Sequence, residues 1–179
     1  GVPIPRKTNA TTLQRLTGLI ATTRAERLVI LGDFWHHAAG MTSEIRRQFQ
    51  HWIDEHRSLT IDLILGNHDR CHPADGPENG IRVHSQAMRI GPFIADHYPS
   101  PHHHGYCLAG HIHPGFVLRG KARQSLSLPC FWLGPQVGVL PAFGSFIGQA
   151  KILPKPGDRV FVIADQQVFA TAPALSEGC

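Results

Sequence analysis

Leu13, Leu16, Leu19 and Ile20 recur at helical spacing, and soon afterwards the chain becomes continuously apolar over Leu28-Val-Ile-Leu31. This pattern predicts a helix capped by Thr8 or Asn9, followed by a buried strand over Arg27 to Leu31. The sequence repeats it: Ile45, Phe49, Trp52 and Ile53 share one face of a helix expected from about Ser43 to Glu55, and Ile61-Asp-Leu-Ile-Leu65 reads as the next strand. Alternating helices and strands indicate βαβ-type packing.

From Ile81 onward the period changes. Short apolar or alternating runs separated by Gly and Pro cover Arg89 to Ala95, Gly105 to Ala109, Phe116 to Arg119, Leu126 to Leu133, Val137 to Leu140 and Val160 to Ile163. Cys71 to Gly80 and Pro99 to Gly105 read as loops. The expected architecture is α/β with an α+β-like second half. It has two facing sheets with helices outside, the first half supplying mostly parallel strands and the second mostly antiparallel ones.

Composition narrows this picture. With 179 residues and 42% hydrophobic content, the chain can bury one core, so residues 1–179 are expected to form a single domain. Charged residues make up only 17%, which argues against disorder, and the net charge of +4 suits a phosphate-bearing partner without identifying one. The four cysteines, Cys71, Cys107, Cys130 and Cys179, contain no C-x-x-C pair, which leaves no zinc ribbon or dithiol redox motif. No apolar run approaches the roughly 20 residues that cross a bilayer, and Gly1 to Lys7 is not a signal sequence. The expectation is a cytoplasmic protein with no membrane partner.

Histidine is the outlier, with 13 in the chain, and placement matters more than number. Three apolar strands each run into a glycine followed by metal-ligand residue types: Leu31 into Gly32-Asp33, Leu65 into Gly66-Asn67-His68-Asp69, and Ala109 into Gly110-His111-Ile112-His113. Ligand sites in open α/β sheets form at the carboxyl ends of strands, and a glycine there lets the backbone turn sharply beside a bound ion. A carboxylate offers about four lone-pair sites, so Asp33 is able to bridge two ions roughly 3.5–4 Å apart. The amide oxygen of Asn67 and the ring nitrogens of His97, His111 and His113 complete such shells, and imidazole favours Mn, Zn, Fe or Ni over Mg or Ca.

In this order and at these intervals, Gly32-Asp33, Gly66-Asn-His-Asp69 and Gly110-His-Ile-His113 resemble the calcineurin-like metallophosphoesterase superfamily. The resemblance implies a four-layer sandwich and two divalent metal ions, Mn foremost. It implies that Asp33 bridges both ions, that Asn67, His97 and His111 hold the second, and that His113 serves the first. His68 would face the substrate, as a stabiliser of phosphoryl oxygens or a proton donor to the leaving group, with Asp69 orienting it.

A closer likeness runs through Gly1-Val-Pro-Ile-Pro5, Gly32-Asp-Phe-Trp-His36, Leu128-Pro-Cys-Phe-Trp-Leu-Gly134 and Leu140-Pro-Ala-Phe-Gly144. These segments resemble the bacterial PdeM group, ligase-associated phosphoesterases described as DNA-damage-response endonucleases. That likeness implies a phosphodiester substrate such as DNA, and association with a DNA ligase and a helicase. The superfamily pattern opens with D-x-H, which supplies two ligands to the first metal, and no such motif precedes Asp33 in this chain. The expectation is that this strand lies upstream of Gly1, and that the chain as given holds a half-complete first site.

Each of these residues has a plainer reading. One His before a Pro-rich loop, as at His97, is often only a surface residue, with His102, His103 and His104 as rivals. His36 and His37 are equally assignable to packing or to substrate contact, and Arg70 follows G-N-H-D where a substrate phosphate is expected. His51, His56, His72 and His84 read as solvent-facing or capping residues. Phe131-Trp132 and Phe143 to Phe146 fit sheet core better than a base-stacking platform, and Arg119, Lys121 and Arg123 fit a solvated hairpin as well as a backbone contact. The alternatives to a nuclease are a small-molecule or nucleotide phosphoesterase and a non-catalytic partner of the ligase or helicase.

Overall fold

A computed structural model describes residues 8–34, 42–69, 80–120, 124–144 and 147–171. His36, His37, Arg70, His72, Lys121, Arg123, Phe146 and most of the Cys71 to Gly80 loop therefore lie outside the described residues. The chain divides into two compact units, Gly1–Met88 with Phe143–Phe146, and Arg89–Ala142 with Ile147–Cys179.

The first unit contains α1 (Thr8–Thr23), β1 (Arg27–Ile30), α2 (Ser43–Glu55), β2 (Thr60–Ile64) and β3 (Ile81–His84). The helical period of the leucines and the apolar face of α2 thus produce the elements they predict. Thr42 caps α2, its hydroxyl accepting from the backbone N–H of Ile45 at 3.3 Å, an interaction whose loss to Ala costs about 1 kcal/mol. Phe49, Trp52 and Ile53 of α2 are buried with Leu59, Ile61, Leu63 and Ile81, and Leu13, Leu16 and Ile20 of α1 pack against them. A core side chain of this size contributes roughly 1.5–3 kcal/mol on burial. The indole N–H of Trp52 donates to Thr17 Oγ1 at 2.9 Å, which ties the two helices together. His56 forms the C-cap of α2 and stacks on Trp52, in keeping with a capping role.

Strands β1, β2 and β3 form a three-stranded sheet, parallel throughout. Side chains alternate across a pleated strand, so Ile61 and Leu63 enter the helix-side core while Asp62 points to the opposite face. Arg27, Arg82 and His84 surround this wholly buried carboxylate. The distances from Asp62 are 2.7 Å to Arg27 Nε, 3.0 and 2.8 Å to Arg82 Nε and Nη2, and 2.7 Å to His84 Nε2. Burial alone would raise the Asp62 carboxyl, but hydrogen bonds from Arg82, His84 and Arg27 outweigh it and hold the pKa at about 2. His84, expected as a solvent-facing or capping residue, instead bonds to Asp62 and completes a hydrogen-bonded cluster spanning three strands. β3 also escaped the sequence reading, because Ile81-Arg-Val-His84 is too short and too polar to stand out.

The second unit is β-rich, as its short runs imply. It holds β4 (Met88–Ile90, which starts at the boundary), β5 (Phe93–Asp96), β6 (Tyr106–Ala109), β7 (Pro114–Arg119), β8 (Ser125–Leu133), β9 (Val137–Val139), β10 (Ala150–Lys151), β11 (Arg159–Ala164) and β12 (Gln167–Ala170). They form a nine-stranded sheet in the order β10-β7-β8-β9-β6-β5-β4, with β11 also joined to β8 and β12 to β11. The sheet is mixed: β5, β6 and β9 run parallel to one another, whereas β8 is antiparallel to β7, β9 and β11. Cys130, Ile152, Val160 and Val162 are buried together under Phe116, Leu128 and Trp132. The indole N–H of Trp132 donates to Asp158 at 2.8 Å, which confirms a packing role for the Phe131-Trp132 segment. Gly138 allows β9 to lie close to its neighbours, since a Cβ there would stand 2.9 Å from Leu133 and 3.1 Å from Tyr106. Among the described residues, no helix is long and apolar enough to cross a membrane.

Candidate functional site

The chemistry-bearing residues fall on the carboxyl ends of strands in both units. In the first unit, β1 ends at Ile30, and the chain turns through Gly32, at φ 84°, and Asp33, at φ 52°. The left-handed region is routine for glycine and costly for a residue with a Cβ, so Asp33 is held there by its surroundings. Its backbone N–H donates to Asp69 Oδ2 at 2.7 Å, and the same oxygen accepts from Gly66 N at 2.8 Å. In return, Asp33 Oδ1 accepts from the backbone N–H of His68 at 3.0 Å. The loop after β1 and the loop after β2 are therefore laced together by two carboxylates. One accepted hydrogen bond is compatible with ligation by Asp33, because a carboxylate has about four lone-pair sites.

In the second unit, β5 and β6 are parallel neighbours with Asp96 opposite Ala109. Extending both strands by one residue places His97 beside Gly110, and Gly110 N donates to His97 O at 3.2 Å. The chain then turns tightly, Ile112 N donating to Gly110 O at 2.8 Å, with His111 at φ 64° and His113 at φ 53°. The turn brings His111 Nδ1 to 3.0 Å from His97 Nε2. His97 is 1% exposed, so the plainer alternative to its expected ligand role, a surface residue, is set aside. His113 leads straight into β7, and its carbonyl accepts from Ala150 N at 3.0 Å.

Six non-glycine residues among those described have positive φ, and three of them are Asp33, His111 and His113. Backbone strain concentrates at sites whose geometry serves a purpose other than stability. The donor chemistry agrees with an ion. His97 Nε2 and His111 Nδ1 share a hydrogen bond at 3.0 Å, close to the roughly 2.9–3.4 Å that separates two imidazole nitrogens holding one ion at about 2.0–2.1 Å from each. Imidazole donors of this kind suit Mn, Fe, Ni or Zn.

Two neighbours of His97 carry no sequence signal of their own. Asp96 Oδ1 accepts from His97 N at 2.6 Å, and its Oδ2 meets His102 Nε2 at 3.1 Å. Tyr98 lays its ring against both His97 and His111 at 4.7 Å between centroids. His102, weighed as a rival ligand but expected in a solvated loop cluster with His103 and His104, is the partner of Asp96, while His103 and His104 are exposed. An acid immediately before a histidine is common in loops, so nothing in the sequence distinguishes Asp96 as a brace.

No protein-family model matches the chain, and comparison with curated proteins yields no match. Among solved structures, the crystal structure of the Pseudomonas putida nuclease MPE matches with a TM-score of 0.82 and 38% sequence identity. The match covers 96% of this chain and 82% of that one. Likeness of this extent, in sequence as well as in fold, shows that the chain belongs to the same family as the Pseudomonas putida nuclease MPE.

Proposed function

We propose that the protein is a metal-dependent phosphodiester hydrolase of the calcineurin-like superfamily, of PdeM type, acting as a nuclease on DNA. One observation carries the reading: ligand-type side chains at Asp33, His111 and His113 each follow a strand and sit in left-handed backbone. The likeness to a protein described as a nuclease supports it.

In this reading Asp33 would be a ligand to both of two divalent ions, Asn67, His97 and His111 would hold one of them, and His113 would serve the other. Mn is the first choice of ion. Divalent ions in such a site would supply a water whose pKa is lowered to about 7 and positive charge for the phosphoryl oxygens. Asp69 keeps the loops after β1 and β2 in register through its bonds to Asp33 and Gly66. His68 gives a proton to the departing oxygen or pairs with its charge, a task suited to imidazole near neutral pH. Arg70 and His36, outside the described residues, are assigned to the substrate phosphate from sequence position alone. A DNA ligase and a helicase are the proposed partners.

The test is hydrolysis of bis-p-nitrophenyl phosphate and of single-stranded DNA by the full-length protein with added Mn. Turnover that disappears in Asn67→Ala and His68→Ala is expected. Activity surviving both substitutions would falsify the reading. Preference for monoesters over diesters would instead identify a small-molecule phosphoesterase, and no turnover of any ester would point to a binding partner.

A further inference from the structure

We infer that Arg27 and Arg82 form a binding site for a phosphate group on the face of the three-stranded sheet turned away from the helices. Its residues are not those of the strand-end loops: Arg27 opens β1, whereas Asp33 follows the other end of that strand.

The cluster around Asp62 holds more positive charge than its one carboxylate needs. Asp62 is wholly buried, and two guanidinium groups bond to it, Arg27 through Nε at 2.7 Å and Arg82 through Nε and Nη2 at 3.0 and 2.8 Å. His84 Nε2 meets the same carboxylate at 2.7 Å and brings no acid with it. Two arginines on one aspartate leave a net positive charge, and no second acid bonds to either arginine among the described residues. On α2, by contrast, arginine and acid pair one to one, Arg47 with Glu44, and beyond its end Arg57 with Asp54.

The two cations are fixed as well as surplus. Parallel register sets Arg82 opposite Asp62, and Arg27 Nε and Arg82 Nη2 bond to the same oxygen, Oδ2, which holds the guanidinium groups side by side. Their side chains are 40% and 58% exposed above a carboxylate that is 0% exposed. A guanidinium has five N–H donors. Arg82 spends two of them on Asp62, while Arg27 spends one there and one on Met88 Sδ at 3.4 Å. The rest have no bonded protein acceptor among the described residues.

The donor set selects the ligand. Neighbouring guanidinium groups repel each other, and an anion shared between them removes that cost. The planar forks of arginine match the oxygens of a phosphate in paired, charge-assisted hydrogen bonds. An inorganic ion and the backbone of a nucleic acid present the same oxygens to such a pair.

The experiment follows phenylglyoxal modification of individual arginines in the full-length wild-type protein by peptide mass mapping. EDTA is present, and ionic strength is held constant with chloride. Inorganic phosphate is expected to slow modification of Arg27 and Arg82 severalfold and to leave Arg47 and Arg57 unchanged. A single-stranded oligonucleotide at equal phosphate content protects the same two arginines if the site takes a nucleic-acid backbone, and fails to if it takes the free ion. Calorimetric titration with inorganic phosphate supplies the second measurement: Arg82→Gln is expected to weaken binding roughly tenfold, through loss of charge-assisted donors, and His111→Ala to leave it unchanged. Unprotected Arg27 and Arg82 in wild type, equal slowing of all four arginines, or phosphate affinity lost in His111→Ala but kept in Arg82→Gln would overturn the inference. Because no divalent ion is present, each of these outcomes is independent of hydrolysis.

Discussion

Asp69 Oδ2 lies 2.7 Å from the backbone nitrogen of Asp33 and accepts its hydrogen, so the acid after one strand fixes the loop after another. Asp69 is 5% exposed, and the same oxygen satisfies Gly66 N. A side chain in this position governs backbone geometry before it governs any reaction.

Removing that acceptor strands two backbone donors. Asp69→Ala is expected to lower the unfolding free energy by about 2–6 kcal/mol, at roughly 1–3 kcal/mol for each of the two unsatisfied groups. Asp69→Asn keeps one acceptor oxygen and is expected to lose less. Urea unfolding of the three proteins measures both, and an Asp69→Ala variant as stable as wild type would show that the carboxylate is not the tie.

Left-handed backbone at His111 and His113 predicts an inverted order of truncations. At ordinary positions Ala is more stable than Gly by roughly 0.5–1 kcal/mol, because Gly has more freedom to lose. At φ 64° and 53° the Cβ itself is penalised, so His111→Gly and His113→Gly should each exceed the matching Ala variant in stability by about 1 kcal/mol. His97, which is not among the positive-φ residues, should show the ordinary order. Thermal unfolding of the six variants decides it. The glycine variants should also fail to bind Mn in a calorimetric titration, a gain in stability at the expense of function.

Asp62 predicts the acid limb of stability. Its carboxyl falls from the ordinary 3.8 to about 2 in the folded protein. A folded pKa below the unfolded value means that the stabilisation is complete above the unfolded value and is lost as pH falls through the folded one. The contribution is about 2 kcal/mol, from 1.36 kcal/mol for each pKa unit. Urea unfolding across the acid range should show this loss between about pH 4 and pH 2 in wild type and a flatter profile in Asp62→Asn. Arg27 and Arg82 are 40% and 58% exposed in their side chains, so water can recover part of what they lose in that variant.

Much of this was legible from order along the chain. The period of Leu13, Leu16 and Ile20 and the face made by Phe49, Trp52 and Ile53 are local properties, and the helices appear where those residues predict them. The glycine-ended strands before Asp33, Asn67 and His111 are local as well. The strand β3 was not legible, because Arg82 and His84 make it look like a loop until both are seen to hydrogen-bond to Asp62 of the neighbouring strand. The short strands β10 and β12 were missed for a similar reason: their pairing partners, not their own residues, make them strands.

What the sequence determined by itself is therefore the set of chemical groups and the strand ends that carry them, since both depend on neighbours within a few residues. Tertiary structure alone decided which groups touch. Parallel pairing of β5 with β6 placed Asp96 opposite Ala109 and so brought His97 to His111 across 14 residues of chain. The same pairing left His97 buried, with the Tyr98 ring against both imidazoles. Hydrogen-bond register between strands is a long-range property, and no residue spacing along one strand contains it.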